Sequence, residues 1–92
     1  MSKWCVYILE CKDKSLYTGI TNNIKNRFDE HKSGKGSKYV RSRGAKKIVY
    51  SESFRTKSKA LKRESKIKGL NRQNKLELIS RSPDILKITP IN

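Results

Sequence analysis

The chain has 92 residues, with 23 Lys and Arg against 8 Asp and Glu, a formal charge of +15 and a pI near 10.2. That length supports one domain around one modest core, and that charge asks for a polyanionic partner: nucleic acid first, an anionic membrane surface second. No apolar run approaches the ~20 residues of a membrane span, and the first eleven residues lack the apolar stretch and cleavage site of a secretory leader, so no membrane association is expected and the expected location is cytoplasmic.

The first element predicted is a strand over Lys3 to Cys11. Trp4, Val6 and Ile8 alternate there with Cys5, Tyr7 and Leu9, so both faces are largely apolar. A strand covered on both faces is usually central, with helices packed on it. Cys5 and Cys11 sit on this strand six residues apart, about 20 Å at a strand's rise, beyond the reach of a disulfide. Neither has a CxxC partner, so both read as reduced, structural cysteines. Lys12-Asp13-Lys14-Ser15 is a polar turn, and Leu16 to Ile20 is a second strand, antiparallel to the first because the connection is short.

Thr21, Asn22 or Asn23 then caps a helix. Ile24 and Phe28 form its apolar stripe, and Arg27 and His31, also four residues apart, share a neighbouring face. Ser33-Gly34 ends it. A basic loop is expected from Lys35 onward, with Tyr39 among Lys38, Arg41 and Arg43 and a second break at Gly44. Lys47 to Phe54 reads as the third strand. Thr56 or Ser58 caps the next helix, whose apolar members are Ala60, Leu61, Ile67 and Leu70, and Asn71 caps a short last helix holding Leu76 and Ile79, which Pro83 stops. The domain is expected over 1–82, with a C-terminal tail over 83–92 whose core candidates are few.

Glu64 is the most telling residue. It lies four residues after Ala60 and three before Ile67, so it points with the apolar stripe, whereas Lys62, Arg63 and Lys66 point elsewhere. A carboxylate on a core-facing stripe is costly unless it is ion-paired or metal-bound. Alone, Glu64 reads as a salt bridge; beside two strand tyrosines and an arginine-bearing helix, metal binding is the better reading. Tyr7 and Tyr17 can approach across the hairpin, and an ordinary phenol, with pKa near 10, needs cationic neighbours to act as a base. Arg27 can grip a phosphate bidentately. His31 can position water or phosphate, or simply occupy a helix end where imidazolium is favoured. The lone histidine argues against a multi-ligand zinc site.

Val6-Tyr7-Ile8-Leu9, Leu16-Tyr17-Thr18-Gly19-Ile20-Thr21, Arg27-Phe28 with Glu30-His31, Ser33 through Tyr39, and Ala60 through Glu64 with Ile67-Lys68 together resemble the GIY-YIG nuclease superfamily, in its small single-domain bacterial branch. The resemblance implies an α+β fold, a three-stranded antiparallel sheet flanked by helices, here in the order β-β-α-β-α-α. It implies metal-dependent cutting of phosphodiester bonds at one centre. Tyr17 would sit at the nucleophilic water, Tyr7 would support water or phosphate, and Gly19 would admit backbone close to the site. Arg27 would stabilise developing charge, Tyr39 and His31 would line the cleft, and Glu64 would bind Mg²⁺ or Mn²⁺. Three positions depart from the pattern: Cys5 stands for the first glycine, Thr18 for an aliphatic residue, and Ile20 for the lysine of the DNA excision-repair relatives. A late asparagine of several relatives corresponds to Asn71 or Asn74.

The function expected is therefore a divalent-metal-dependent, structure-selective endonuclease on branched, flapped or single-stranded DNA. Its rival is a non-catalytic basic module, for DNA or RNA, that keeps the nuclease fold. Lys35, Lys38, Arg41 and Arg43 on the loop, with Lys62, Arg63 and Lys66 on the helix, are expected to track phosphates without reading bases. A bare module leaves room for a partner protein that supplies target recognition.

Overall fold

The computed structural model describes residues 3–81. The tail expected at 83–92 and the helix stop at Pro83 lie outside the described residues. Strands β1 (Trp4–Cys11), β2 (Leu16–Thr21) and β3 (Ala45–Phe54) form one antiparallel sheet in the order β2-β1-β3. Helix α1 (Ile24–Lys32) and the short α2 (Lys38–Arg43) come between β2 and β3; α3 (Lys57–Lys68) and α4 (Arg72–Ser80) follow β3.

The double-sided apolar pattern of β1 explains its central place. Val6 and Ile8 face one layer, where they pack with Tyr50, Ala60 and Ile67, and with Leu78 and Ile79 at the margin. Tyr7, Leu9 and Cys11 face the other, with Val40, Ile48, Ile24 and Phe28. So α3 and α4 cover one face of the sheet, and α1 and α2 the other. The β1–β2 turn closes with Lys14 at φ 72° and with Asp13 Oδ1 accepting from the Ser15 backbone N–H and hydroxyl at 3.0 and 2.6 Å, the local bonding that makes Asp a turn residue. Asn23, Thr56 and Asn71 cap α1, α3 and α4 through their side chains. Cys5 and Cys11 are free thiols.

Three expectations are corrected. The basic stretch after Gly36 is not all loop. Ser37 caps α2 by accepting from Val40 N–H at 3.2 Å, Val40 anchors it in the core, and Gly44 stops it at φ 81°. Leu61 and Leu76, expected in the core, are 44% and 45% exposed; Ala60 and Ile67 already fill the α3 contact, and Leu78 and Ile79 take the inward positions of α4. Arg63, expected on an exposed face, turns toward β3 and pairs with Glu52 at 3.2 Å, while Glu52 also accepts from the Tyr50 hydroxyl. Burial raises the Tyr50 pKa, and Glu52 adds to the rise. Arg63 therefore fastens α3 to the sheet.

Thr18, opposite Ile8 on β2, is buried, and its hydroxyl has no hydrogen-bond partner among the described residues. An unmet buried hydroxyl carries its full desolvation penalty. Thr18→Val keeps the β-branched shape and should stabilise the fold by about 1 kcal/mol, read as a higher urea midpoint at unchanged m-value. A lower midpoint would show that the hydroxyl has a partner.

Candidate active site

Tyr7 and Tyr17 lie on the same sheet face but not opposite one another. Tyr7 pairs with Gly19, and Tyr17 pairs with Leu9. The diagonal brings the two rings to 6.3 Å between centroids at 47°. Gly19 makes this possible: a Cβ there would stand 2.7 Å from the Tyr7 hydroxyl and 3.0 Å from Tyr17 Cε2. Gly19 was expected to admit backbone close to the site; in the fold it is buried and the Tyr7 ring lies against it.

Below the rings lies His31. It is 3% exposed, and its Nε2 is 2.8 Å from the Tyr7 hydroxyl. Its ring meets Tyr17 edge-on, with centroids 5.4 Å apart. The other nitrogen, Nδ1, is buried without a hydrogen-bond partner among the described residues, and Gly36 passes over it so closely that a Cβ would overlap the imidazole. Burial, and secondarily the Arg27 charge, lowers the His31 pKa against the opposing pull of Glu30. His31 is thus buried, and its environment disfavours the imidazolium expected at a helix end.

Tyr7 is 1% exposed. Burial raises its pKa well above the usual phenol value, as does neighbouring Tyr17; Arg27 opposes the shift, while Glu64 and Glu30 add to it. The charges of Arg27 and Glu64 thus pull this phenol in opposite directions. Tyr7 stays a neutral phenol at physiological pH. Tyr17 is half-buried and makes no hydrogen bond with the described residues, so its hydroxyl is the phenol open to a ligand.

Arg27 is paired with Glu30 at 3.1 Å on the surface. Glu64 is carried by α3, on the opposite layer from His31. Its side chain is only 16% exposed, and one oxygen is 3.3 Å from Lys68 Nζ. Tyr39, on α2, is 40% exposed and lies against Tyr17, with centroids 5.9 Å apart. Arg43 Cζ sits 4.3 Å from the Tyr39 ring centre, and its Nη1 is 2.8 Å from Asp13 Oδ2. The fold thus gathers Tyr7, Tyr17, His31 and Tyr39 into one contact network, while Arg27 and Glu64 are ion-paired elsewhere, with Glu30 and Lys68. Lys35, Lys38 and Arg41 are exposed on or beside α2, and Lys62 and Lys66 on α3.

Among the described residues no three His, Cys, Asp or Glu side chains converge on a point that could hold a metal ion. Glu64 is instead one covered carboxylate with a single exposed lysine as partner. One oxygen ligand of this kind fits a hard divalent cation that keeps most of its waters and takes the rest of its shell from phosphate oxygens. Two positions escaped sequence reasoning. Gly36 carried only the generic signal of a glycine in a loop, with nothing to say that it lies over His31. Asp13 carried an Asx-turn signal two residues before Ser15, but no sign of Arg43.

The buried His31 makes a pH prediction. A histidine whose folded pKa lies below its unfolded value costs stability when the unfolded chain takes up the proton. Stability should be full above about pH 6.5, the unfolded value, and fall as pH drops below it. Urea midpoints at pH 7.5 and 5.5 should differ in the wild type and differ less in His31→Asn. Equal acid loss in both proteins would assign the effect to other groups.

This sheet, with tyrosines on its first two strands, an arginine-bearing helix after them and a carboxylate on a later one, defines a family. The model of the GIY-YIG catalytic domain matches residues 3–77, and the chain belongs to that family. It is 51% identical over 80 residues to a UPF0213 protein of Staphylococcus saprophyticus, an alignment covering 87% of this chain and 98% of that one. A UPF0213 protein of Syntrophus aciditrophicus is 53% identical over 85 residues, covering 91% and 98%. The solution NMR structure of a UPF0213 protein from Bacillus halodurans superposes with a TM-score of 0.58 at 38% identity, covering 98% of this chain and 99% of that one. Among the described residues no helix is long and apolar enough to cross a membrane.

Proposed function

We propose that this protein is a divalent-metal-dependent endonuclease that hydrolyses phosphodiester bonds in DNA at branched, flapped or single-stranded positions. One observation carries the reading. A half-buried tyrosine, Tyr17, stands over a buried Tyr7–His31 hydrogen bond, followed in the chain by an arginine on α1 and by Glu64 on α3, a carboxylate only 16% exposed. Family membership supports a nuclease.

In this reading Tyr17 holds the attacking water and relays its proton to solvent as the new P–O bond forms and the scissile one breaks. Tyr7 and His31 do not exchange protons with substrate; they fix the Tyr17 ring from below. Arg27 leaves Glu30 for a phosphate oxygen. An exposed pair of this kind is worth about 0.2–1 kcal/mol, so a bidentate phosphate contact that tightens in the transition state can displace it. Glu64 would hold Mg²⁺ or Mn²⁺, which when bound neutralises charge on the phosphate and leaving oxygen.

Lys35, Lys38 and Arg41 on or beside α2, with Lys62 and Lys66 on α3, would hold the strand by its phosphates. Affinity should then fall linearly with salt on a log–log scale, with a slope of about −0.7 to −0.9 per neutralised phosphate. A flat response between 50 and 200 mM salt would remove nucleic acid as the partner.

A second reading has an observation of its own. Both charged residues of the proposed site are already satisfied internally, Arg27 by Glu30 and Glu64 by Lys68, as suits a module that binds nucleic acid without cutting it. The deciding assay is cleavage of a panel of flapped, branched, single-stranded and duplex DNA, with RNA counterparts, in magnesium, manganese or chelator. Cutting that chelator stops supports the enzyme. Binding with no cutting on any member supports the module.

A further inference from the structure

Arg43 is held from two sides, by an aromatic ring and by a carboxylate. Its guanidinium carbon lies over Tyr39, 4.3 Å from the ring centre. Its Nη1 is taken by Asp13, at 2.8 Å. Asp13 is itself fixed by the Ser15 backbone N–H and hydroxyl, and these bonds, then Arg43, pull its pKa down to about 2, so it is charged at every working pH. Beyond Tyr39 the column continues to Tyr17, 5.9 Å away and tilted by 32°. Asp13 belongs to the β1–β2 turn, Tyr39 and Arg43 to α2 and Tyr17 to β2, so three elements build one stack.

A guanidinium offers two faces and a hydrogen-bonding edge. Here the guanidinium carbon is over tyrosine and one nitrogen, Nη1, is on a carboxylate. A bidentate phosphate grip through Nη1 has to compete with that carboxylate. The remaining face belongs to a side chain still 41% exposed. Guanidinium planes are weakly hydrated and stack on flat rings, and unpaired bases are held in this way on aromatic and arginine surfaces. We propose that the outer face of Arg43 is a nucleobase-stacking subsite, the end of a column Tyr17–Tyr39–Arg43 that takes one unpaired DNA base. This reassigns Arg43 from a phosphate contact to a base contact. It rests on the nuclease reading only in that Tyr17 marks the scissile phosphate. The stacked base then lies three stacking steps from Tyr17, within roughly two nucleotides of the cut. A base inside continuous duplex has both faces covered and cannot enter. The subsite therefore selects for an unpaired nucleotide beside the cut, as in a flap, a junction or a single strand.

The test uses the full chain in chelator, so that it reads binding whether or not the protein cuts. Two single-stranded oligodeoxynucleotides of equal length are compared by fluorescence anisotropy, one with bases and one abasic throughout its centre. Wild type should prefer the based strand by about tenfold, the scale of one stacked base. Arg43→Lys keeps the charge and loses the plane; it should bring that ratio near one while leaving affinity for the abasic strand and the salt slope unchanged. Asp13→Ala frees Nη1; it should lower the ratio and steepen the salt slope by about one contact. Equal wild-type affinity for the two strands, or a ratio that survives Arg43→Lys, overturns the subsite and leaves the nuclease reading to the cleavage panel.

Discussion

Glu64→Gln should abolish metal-dependent cleavage while leaving the fold and metal-free DNA affinity nearly intact. Glutamine keeps the shape of the side chain, which is 16% exposed, and removes the charge a hard cation needs. What the fold loses is a pair with Lys68 four residues on, whose partner is 55% exposed; such helix pairs are worth about 0.3–0.5 kcal/mol. Thermal stability should therefore hardly move, and removing a negative charge from a phosphate-facing site should leave affinity in chelator equal or slightly higher. Lys68→Met is the control. It breaks the same ion pair, keeps the carboxylate, and should still cut. Single-turnover cleavage with manganese titration reads both variants. Undiminished cutting by Glu64→Gln would sink the metal assignment, and equal loss in the two variants would show that the ion pair, not the carboxylate, is what matters.

The ease with which the sheet and three of the helices could be read from the sequence has a physical cause. β1 is apolar at every position from Trp4 to Leu9, so it must be covered on both faces, and a four-residue polar turn leaves β2 no choice but to pair beside it. The capping residues Asn23, Thr56 and Asn71 announce their helices because their side chains have that local task. α2 was hidden for the opposite reason. It is six residues long, has one buried residue, Val40, and lies between Gly36 and Gly44, so neither periodicity nor composition separates it from a loop. The site was half legible. Tyr7, Tyr17 and His31 were recognisable as residue types in order, but which phenol is sealed and which is open depends on register. Tyr7 faces Gly19 rather than Tyr17, and no pattern of apolar residues encodes that step. The same limit applies to the charges. Arg63 and Lys62 are neighbours in the same basic run, yet one pairs with Glu52 on β3 and the other faces solvent. A run of like charges states a net field, not which member is committed to a partner.

That distinction between the phenols makes the sharpest test, because removing one hydroxyl from each should damage different properties. In Tyr7→Phe the ring still fills the space over Gly19, but His31 Nε2 loses its hydrogen bond, and Nδ1 already has no partner among the described residues. A buried polar atom stripped of its partner costs about 1–3 kcal/mol, which for a domain of this size lowers Tm by about 4 °C or more. Tyr17→Phe breaks no hydrogen bond within the described residues, so its stability should change by no more than about 0.5 kcal/mol, as for an ordinary surface change. Yet if Tyr17 handles the proton of the attacking water, its rate should fall roughly 10²-fold or more. One variant should be unstable and partly active, the other stable and nearly inactive. The binding-module reading makes a different forecast: Tyr17→Phe is silent in every assay, while changes at Lys35, Lys38 or Arg41 dominate. Thermal melts beside single-turnover cleavage and equilibrium binding for both variants distinguish these outcomes. A Tyr17→Phe protein that melts and cuts like wild type would leave Tyr17 only its place in the aromatic stack, and the proton would have to leave the attacking water by another route.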